Sequence, residues 1–596
     1  SLDGPSYCLD VNASTATGNT ITKTATEFRD GTVAWLLGKA FGQKLGVDAS
    51  PVLSDGTNRV FMAGGDLRNA SAETCDLLIN AIGTVALDGT ENCFGNVTLA
   101  QDCYDMLAKA ERAKVTKLET LTQKQADYTT AVNALIAQID ALGEITLASK
   151  DALEAARGSY DRYLAWGGDA ARVTNYETLT AAEAAYAKCV QADNESKVEE
   201  SIQIKTIDGE KYYAISNLEQ LQWYIALLNG TLAAKERNTA ANAILTADIT
   251  VNKNLLATLL DETGAVKEDQ LANMTRLPMI DKLDGTFDGD GHTISGALYC
   301  SSVASYEHDG DAMILNVNGT VKDLVLKDAY TQGFHVAGIA YYLNKDAKLL
   351  RCGFEGKLFG KYWAGGLTNT SNPGALIDSC YCIADIHLED TADTTTQQMY
   401  RIGGISCHNY GKVQIKNTFV SGTIGPAYFQ GAIAGILNGS GTVIDNCYYP
   451  QVDGLECISD LSRDVATQIG GGKLQGEMMT SGELAYRLGD AFGQRIGVDA
   501  HPMFRTADNA VYYVNGTYAN ASAQVAIALI DAIGTVALDG TEHCFTNLAT
   551  ADTCYRSLTE AERAQVTNMA TLRAAQAAEQ AVIDQLAAEI KAVTPM

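Results

Sequence analysis

Seven histidines, fourteen cysteines and 72 acidic side chains are the raw material for chemistry in this chain of 596 residues. The histidines are His292, His308, His335, His387, His408, His501 and His543. None stands in an H-E-x-x-H pair or beside a C-x-x-C, the spacings that bring zinc ligands onto one helix face or knuckle. Asp284, Asp288 and Asp290 offer hard oxygen ligands to calcium. They match neither the EF-hand loop nor the glycine-rich nonapeptide, so they read as a solvated Asp/Gly turn. Asp378, Asp385, Glu389 and Asp390 are the carboxylates that a general acid and base would need across a groove. Glu389 and Asp390 belong to the polar run LEDTADTTTQQ, which reads as an acidic loop. No G-x-S-x-G, Walker A or dinucleotide fingerprint occurs. The residues therefore predict no catalytic site, no metal and no cofactor.

Exposed aromatics are the other chemical resource, because a ring face stacks on a sugar. Tyrosine is abundant, at 27 residues, and is doubled in Tyr341-Tyr342, Tyr362-Trp363, Tyr448-Tyr449 and Tyr512-Tyr513. Packing against a core is the competing use of the same side chains. Eleven N-x-S/T sequons occur, among them Asn69, Asn318 and Asn520.

The elements that position these groups follow from self-comparison. AIGTVALDGTE occurs at Ala81–Glu91 and again at Ala532–Glu542, an offset of 451, so the first and last 145 residues are copies of one segment. A shorter relative begins at Gly143. The tails Val115-Thr116, Val173-Thr174 and Val566-Thr567 align across the three copies. Each copy is rich in Ala, Leu, Glu and Gln with apolar residues at i, i+3, i+4, which predicts bundles of three amphipathic helices. Glu119 to Leu142 contains no helix breaker and reads as one helix shared by two bundles.

Copy two lacks the cysteines of the other two copies and is four residues shorter between its glycine and the shared tyrosine. Their joint loss predicts two loop disulfides, Cys93–Cys103 and Cys544–Cys554, each worth roughly 2–3 kcal/mol.

From about Lys205 to Pro450 short apolar runs alternate with turn residues. Ile294, Val321, Leu349, Ile377, Ile415 and Ile444 recur at intervals of 27, 28, 28, 38 and 29, the long one containing the acidic loop. A second column runs through Gly338-Ile339, Gly366-Leu367, Gly404-Ile405 and Gly435-Ile436. Two columns at one period predict stacked coils, a right-handed parallel β-solenoid. Cys352, Cys380 and Cys447 share a column three residues after the first, which predicts either a cross-rung disulfide or a buried thiol ladder. Ser216 to Asn229 reads as a capping-box helix with Ser216 as N-cap, closing the N-terminal end. The tail Ser459–Val514 is expected to cover the other end. Thr24–Phe61 is its relative near the chain start, with Cys8 matching Cys447 or Cys457.

Net charge −28 argues against nucleic-acid partners. A hydrophobic share of 46% argues against disorder. No apolar run reaches the length of a membrane span. The chain starts at Ser1 with no leader-like segment, and an even cysteine count suits an oxidising compartment.

LDGTFDGDGHTISGALY (Leu283–Tyr299) and the Gly-Ile/Gly-Leu column resemble GLUG-type repeats of large bacterial cell-surface proteins. ISNLEQLQWY and ILTADITVN resemble the lead-in to such repeats. The helical copies, VTNYETLTAAEAAY (Val173–Tyr186) above all, resemble modules of long surface proteins of Gram-positive gut bacteria. The resemblance implies an extracellular protein, secreted or wall-anchored and often an adhesin, although no LPxTG-type signal is present.

The combined expectation is a solenoid flanked by helical bundles, in six segments. These are a solenoid-tail-like segment 1–76, bundles 77–130 and 131–192, the solenoid 200–450, a tail 451–522 and a third bundle 523–596. The function expected is a non-enzymatic structural and adhesive segment of a tandem-repeat surface protein. Its partners would be a host glycan or surface protein, with head-to-tail self-association. Two alternatives remain, the protomer of a self-assembling filament and a carbohydrate-active β-helix enzyme.

Overall fold

The computed structural model describes residues 6–9, 20–300, 310–389, 395, 397, 399–459 and 466–593. His308 and Asp390 lie outside the described residues. The chain mixes α and β structure with large sheets and divides into two compact units, Ser1–Asp193 and Asn194–Met596.

In the first unit the helices Ala72–Asn80, Cys93–Met106, Leu118–Asp140 and Lys150–Ala165 share one apolar core with the start of Tyr176–Ser201. The helix Leu118–Asp140 runs unbroken. Its Leu121 is buried among the helices before it, and its Val132, Leu135 and Ile139 are buried with the hairpin after it. The turn into the second helix needs Gly83 at φ +71°, and a Cβ there would meet Thr90 at 2.4 Å.

The predicted cysteine pairs need correction. All fourteen cysteines are free thiols. Cys93 and Cys103 lie ten residues apart on one helix, and so do Cys544 and Cys554. At ~1.5 Å rise per residue that separation is about 15 Å, far beyond disulfide reach. The residues missing from copy two come from the loop before this helix, which Cys93 seals by donating to Ala86 O at 3.9 Å. Cys103 instead faces Cys75 of the preceding helix. We expect a non-reducing peptide map to contain no Cys93–Cys103 or Cys544–Cys554 cross-link. Either one would refute this helix geometry.

In the second unit the strands pair mostly in parallel in a 19-stranded and a six-stranded sheet. Val321 pairs with Leu349, Leu349 with Ile377, Ile377 with Ile415 and Ile415 with Ile444, all facing one core. The first predicted member is shifted. Phe287 is the partner of Val321, and Ile294 pairs with Leu326. In the glycine column Ile405 donates to Ile433 O, so the fourth member is Ala432-Ile433. Gly435-Ile436 instead falls beside Cys407-His408.

Each rung turns through a residue with φ near +50°, namely Asp323, Arg351, Ser379, Asn417 and Asn446. Short polar side chains tolerate that region best. Arg351 is held there by a charge-assisted bond from its Nη2 to Asp323 Oδ2 at 2.6 Å. The next residue points inward, giving the column Leu324, Cys352, Cys380, Thr418 and Cys447. Cys380 Sγ accepts from Cys352 N at 3.4 Å, and Thr418 Oγ1 accepts from Cys380 N at 3.3 Å. The cysteines therefore form a thiol ladder interrupted by Thr418. Burial holds the Cys352 and Cys447 thiols well above their usual range, so they are protonated and inert.

Three local expectations shift. Asn217, not Ser216, caps the helix Leu218–Asn229 by accepting from Gln220 N. Tyr224 and Trp223 of that helix pack against the first strands, the Tyr224 hydroxyl donating to Ala241 O at 2.7 Å. The C-terminal tail closes the sheet's end as expected, Ala466–Ile469 and Gly472–Lys473 pairing in parallel with the last strands, but it then continues past that end. Its Leu484, Leu488, Phe492 and Val511 cover the row Val325, Tyr381, Phe419 and Tyr448, which runs across neighbouring strands. Near the chain start Ser6–Leu9 pairs with Thr20–Lys23, and the same pairing recurs between Tyr448–Tyr449 and Gly472–Lys473. Cys8 thus occupies the position of Tyr449, not of Cys447 or Cys457.

Candidate functional site

The predicted carboxylates do not share a site. Asp378 Oδ1 accepts from Asn417 Nδ2 at 2.9 Å and serves the turn. Asp385 meets His387 Nε2 at 2.5 Å and Lys357 at 3.7 Å, and Glu389 meets Lys361 at 3.9 Å. Asp288 pairs with Lys322 at 2.7 Å, and Asp284 accepts from Asn318 and Thr239. His292 lies 3.4 Å from Asp248. Among the described residues no three His, Cys, Asp or Glu side chains gather as a metal site. A cleft of about 940 Å³ between the sheet and the tail is lined by Arg351, Asp323, Arg495, Asp499 and Arg505. These are already matched in ion pairs: Arg351–Asp323, Arg495–Asp499 and, at the cleft rim, Arg505–Asp490. The arginines of this cleft are thus already engaged by carboxylates.

The sequons Asn69 and Asn520 are occupied by the fold. Asn69 Oδ1 accepts from Leu45 N at 2.8 Å and its Nδ2 donates to Gln43 O, and Asn520 repeats this with Ile496 and Gln494. Asn318 belongs to an amide ladder, accepting from Asn344, which accepts from Asn372.

A denser chemistry lies where the large sheet bends into the six-stranded one. The bend is made at Gly365-Gly366, Gly403-Gly404 and Gly431-Ala432. A Cβ on Gly365, Gly403 or Gly431 would come within 2.0 Å of the carbonyl three residues on, so the two arms of each rung almost touch. Outward side chains from the two arms consequently meet in a re-entrant corner.

One arm carries a ladder with one residue per strand. His335 pairs with Trp363, Trp363 with Arg401 and Arg401 with Phe429. The His335 ring stacks on Trp363 at 4.4 Å, and the Arg401 guanidinium lies 4.3 Å over the Trp363 ring and 5.8 Å over Phe429. Phe334, Tyr362 and Tyr400 form a second file beside it, with Lys361 over the first two. The other arm contributes Tyr341, whose hydroxyl is 2.9 Å from His335 Nδ1, and His408, 3.2 Å from Arg401 Nη1. The Asn438 side-chain amide lies 2.7 Å from His408 Nε2. Tyr410 takes the place that the next asparagine of the amide ladder would fill. It is 42% exposed and 4.4 Å from His408. Flat faces with a cation and polar edges are what sugar rings are gripped by.

His408 is 3% exposed. Burial and the neighbouring Arg401 pull it down to about 4. The unfolded imidazole titrates near 6.5. Between those values the unfolded chain holds the extra proton, so stability is complete above about 6.5 and falls as pH drops toward 4. We expect up to about 3 kcal/mol of such loss at this site, absent in His408→Gln, read as melting temperature from pH 7 to 4. Equal pH slopes in both proteins would refute it.

Sequence reasoning noted Tyr362-Trp363 and Tyr341-Tyr342 but missed Arg401, His408 and Tyr410. Their signal was positional, since Arg401 lies 38 residues after Trp363, the interval of the long rung.

No family of known sequences matches this chain, and no curated protein does. Among solved structures, one similar chain is the crystal structure of a putative immunoglobulin A1 protease from Bacteroides ovatus. It is 17% identical, covers 50% of this chain and 94% of its own length, and has a TM-score of 0.31. No described helix is long and apolar enough to cross a membrane.

Proposed function

We propose that this chain is a non-enzymatic adhesive segment of an extracellular surface protein. Its stacked strands form a right-handed parallel β-solenoid, and its helical bundles serve as stalk. The observation that carries the adhesive reading is the His335–Trp363–Arg401–Phe429 ladder in the corner of the rungs. The repeated registers favour the solenoid, because the same parallel pairing recurs from Val321 to Ile444. The ligand class is a glycan, stacked on Trp363 and Tyr410 and hydrogen-bonded by Arg401 and Asn438.

The test is retention of the full chain on an array of host-type glycans. Binding to a defined subset supports the reading. Absence of binding to every glycan, or release of cleaved sugar from any, overturns it.

A further inference from the structure

The two copies of the 145-residue segment end in helices that start alike and finish differently exposed. In Leu118–Asp140 and in Met569–Val593 the first turns dock on their own bundle, with Leu121 and its equivalent Leu572 each 1% exposed. About three turns on, the apolar spacing is kept, with Val132, Leu135 and Ile139 matching Ile583, Leu586 and Ile590. The first trio is 4%, 0% and 0% exposed, the second 51%, 37% and 66%.

The first copy shows what covers this stripe. The helices Lys150–Ala165 and Tyr176–Ser201 bring Leu153, Tyr160, Leu179 and Ala182 into the same core. Asn175 Nδ2 locks the turn between them by donating to Ile136 O at 2.9 Å and Asp140 Oδ1 at 2.8 Å. Arg172 lies 4.1 Å over the Tyr128 ring.

We propose that Ile583 and Leu586, on the C-terminal helix, form a docking face for a partner module. That module is an amphipathic helical hairpin of the chemistry of residues 147–186. Two replacements sharpen the partner's chemistry. Glu579 stands where Tyr128 does and Lys591 where Asp140 does. The partner's arginine at the Arg172-like place therefore meets a carboxylate, and an acidic side chain replaces the amide of Asn175. Exposed apolar stripes of this kind mark interaction sites, and helical hairpins read them at i, i+3 and i+7 spacing.

The probe is a peptide of residues 143–192 carrying Asn175→Asp, titrated into the full chain and followed by calorimetry and circular dichroism. The expected result is 1:1 binding with gain of helix. Binding should weaken at least tenfold for the unmodified Asn175 peptide against Lys591, and at least tenfold in the chain with Ile583→Asp and Leu586→Asp. Both positions are exposed, so the double variant keeps its fold, which its helical signal checks. No binding, binding indifferent to the double substitution, or a chain dimer dissolved by that substitution would each overturn the proposal. Trp363→Ala leaves this binding unchanged, so failure here and failure of glycan recognition are told apart.

Discussion

Gly366→Ala is expected to destabilise the β-region by at least about 3 kcal/mol. The added methyl would stand 1.8 Å from Gly404 O and 2.7 Å from Cys382 Sγ. Neither can retreat cheaply. Gly366 N donates to Gly403 O at 3.0 Å, Leu367 N donates to Ile405 O at 2.9 Å, and Cys382 is wholly buried. Relief of the overlap would break consecutive rungs, because the neighbouring Gly404 is pressed against Ala432 O in the same way. Backbone crowding rather than positive φ makes glycine necessary here. The control is Ala432→Gly, two column positions beyond Gly366, where a methyl is already accommodated. It should cost no more than about 1 kcal/mol, the strand-interior penalty of glycine. Hydrogen exchange of the amides from 366 to 371 and from 404 to 409 reads both variants locally. A Gly366→Ala protein with unchanged protection there would show that the strands are spaced more widely than described.

Trp363→Ala is expected to lower glycan retention at least tenfold while leaving the fold intact. Trp363 is half-buried on the outer face, touched by His335 and Arg401 rather than by the core. Its removal takes away the central stacking plane and also frees Arg401, whose guanidinium lies on that ring. Tryptophan at a binding centre commonly carries 2 kcal/mol or more, which is roughly thirtyfold in affinity. Arg401→Ala should weaken binding less, because Trp363 keeps its partner His335. Unchanged retention in Trp363→Ala, at unchanged circular dichroism, would remove the corner from the binding surface.

Other features of the architecture were legible in sequence to different degrees. The helical copies were readable because i, i+4 periodicity is local and the 451 offset repeats it verbatim. The column Val321, Leu349, Ile377, Ile415 and Ile444 was readable because parallel strands put similar apolar side chains at a near-constant interval, broken once by the acidic loop. One end of each column was misread, Ile294 in the first and Gly435-Ile436 in the second. Ile294 was assigned by interval, whereas the longer course between Phe287 and Val321 makes Phe287 the partner of Val321 and sets Ile294, buried in the same core, beside Leu326. The disulfides were misread because covariation of Cys93 with Cys103 does not reveal that one continuous helix separates them. Covariation with a loop and covariation with each other look alike in three copies.

By itself, the sequence determined the repeats, the helical periodicity, the register of the central rungs and the acidic surface, since each follows from local pattern or from counting. Tertiary structure decided which side chains meet. Arg401 and His408 are seven residues apart and touch only because Gly403 and Gly404 let two strands fold nearly onto one another. Trp363 and Arg401 are 38 residues apart and stack because parallel pairing sets strands about 4.8 Å apart. The tail's further course, past the sheet's end and along the Tyr381–Phe419–Tyr448 row, likewise depends on a complementary apolar face that no single segment encodes.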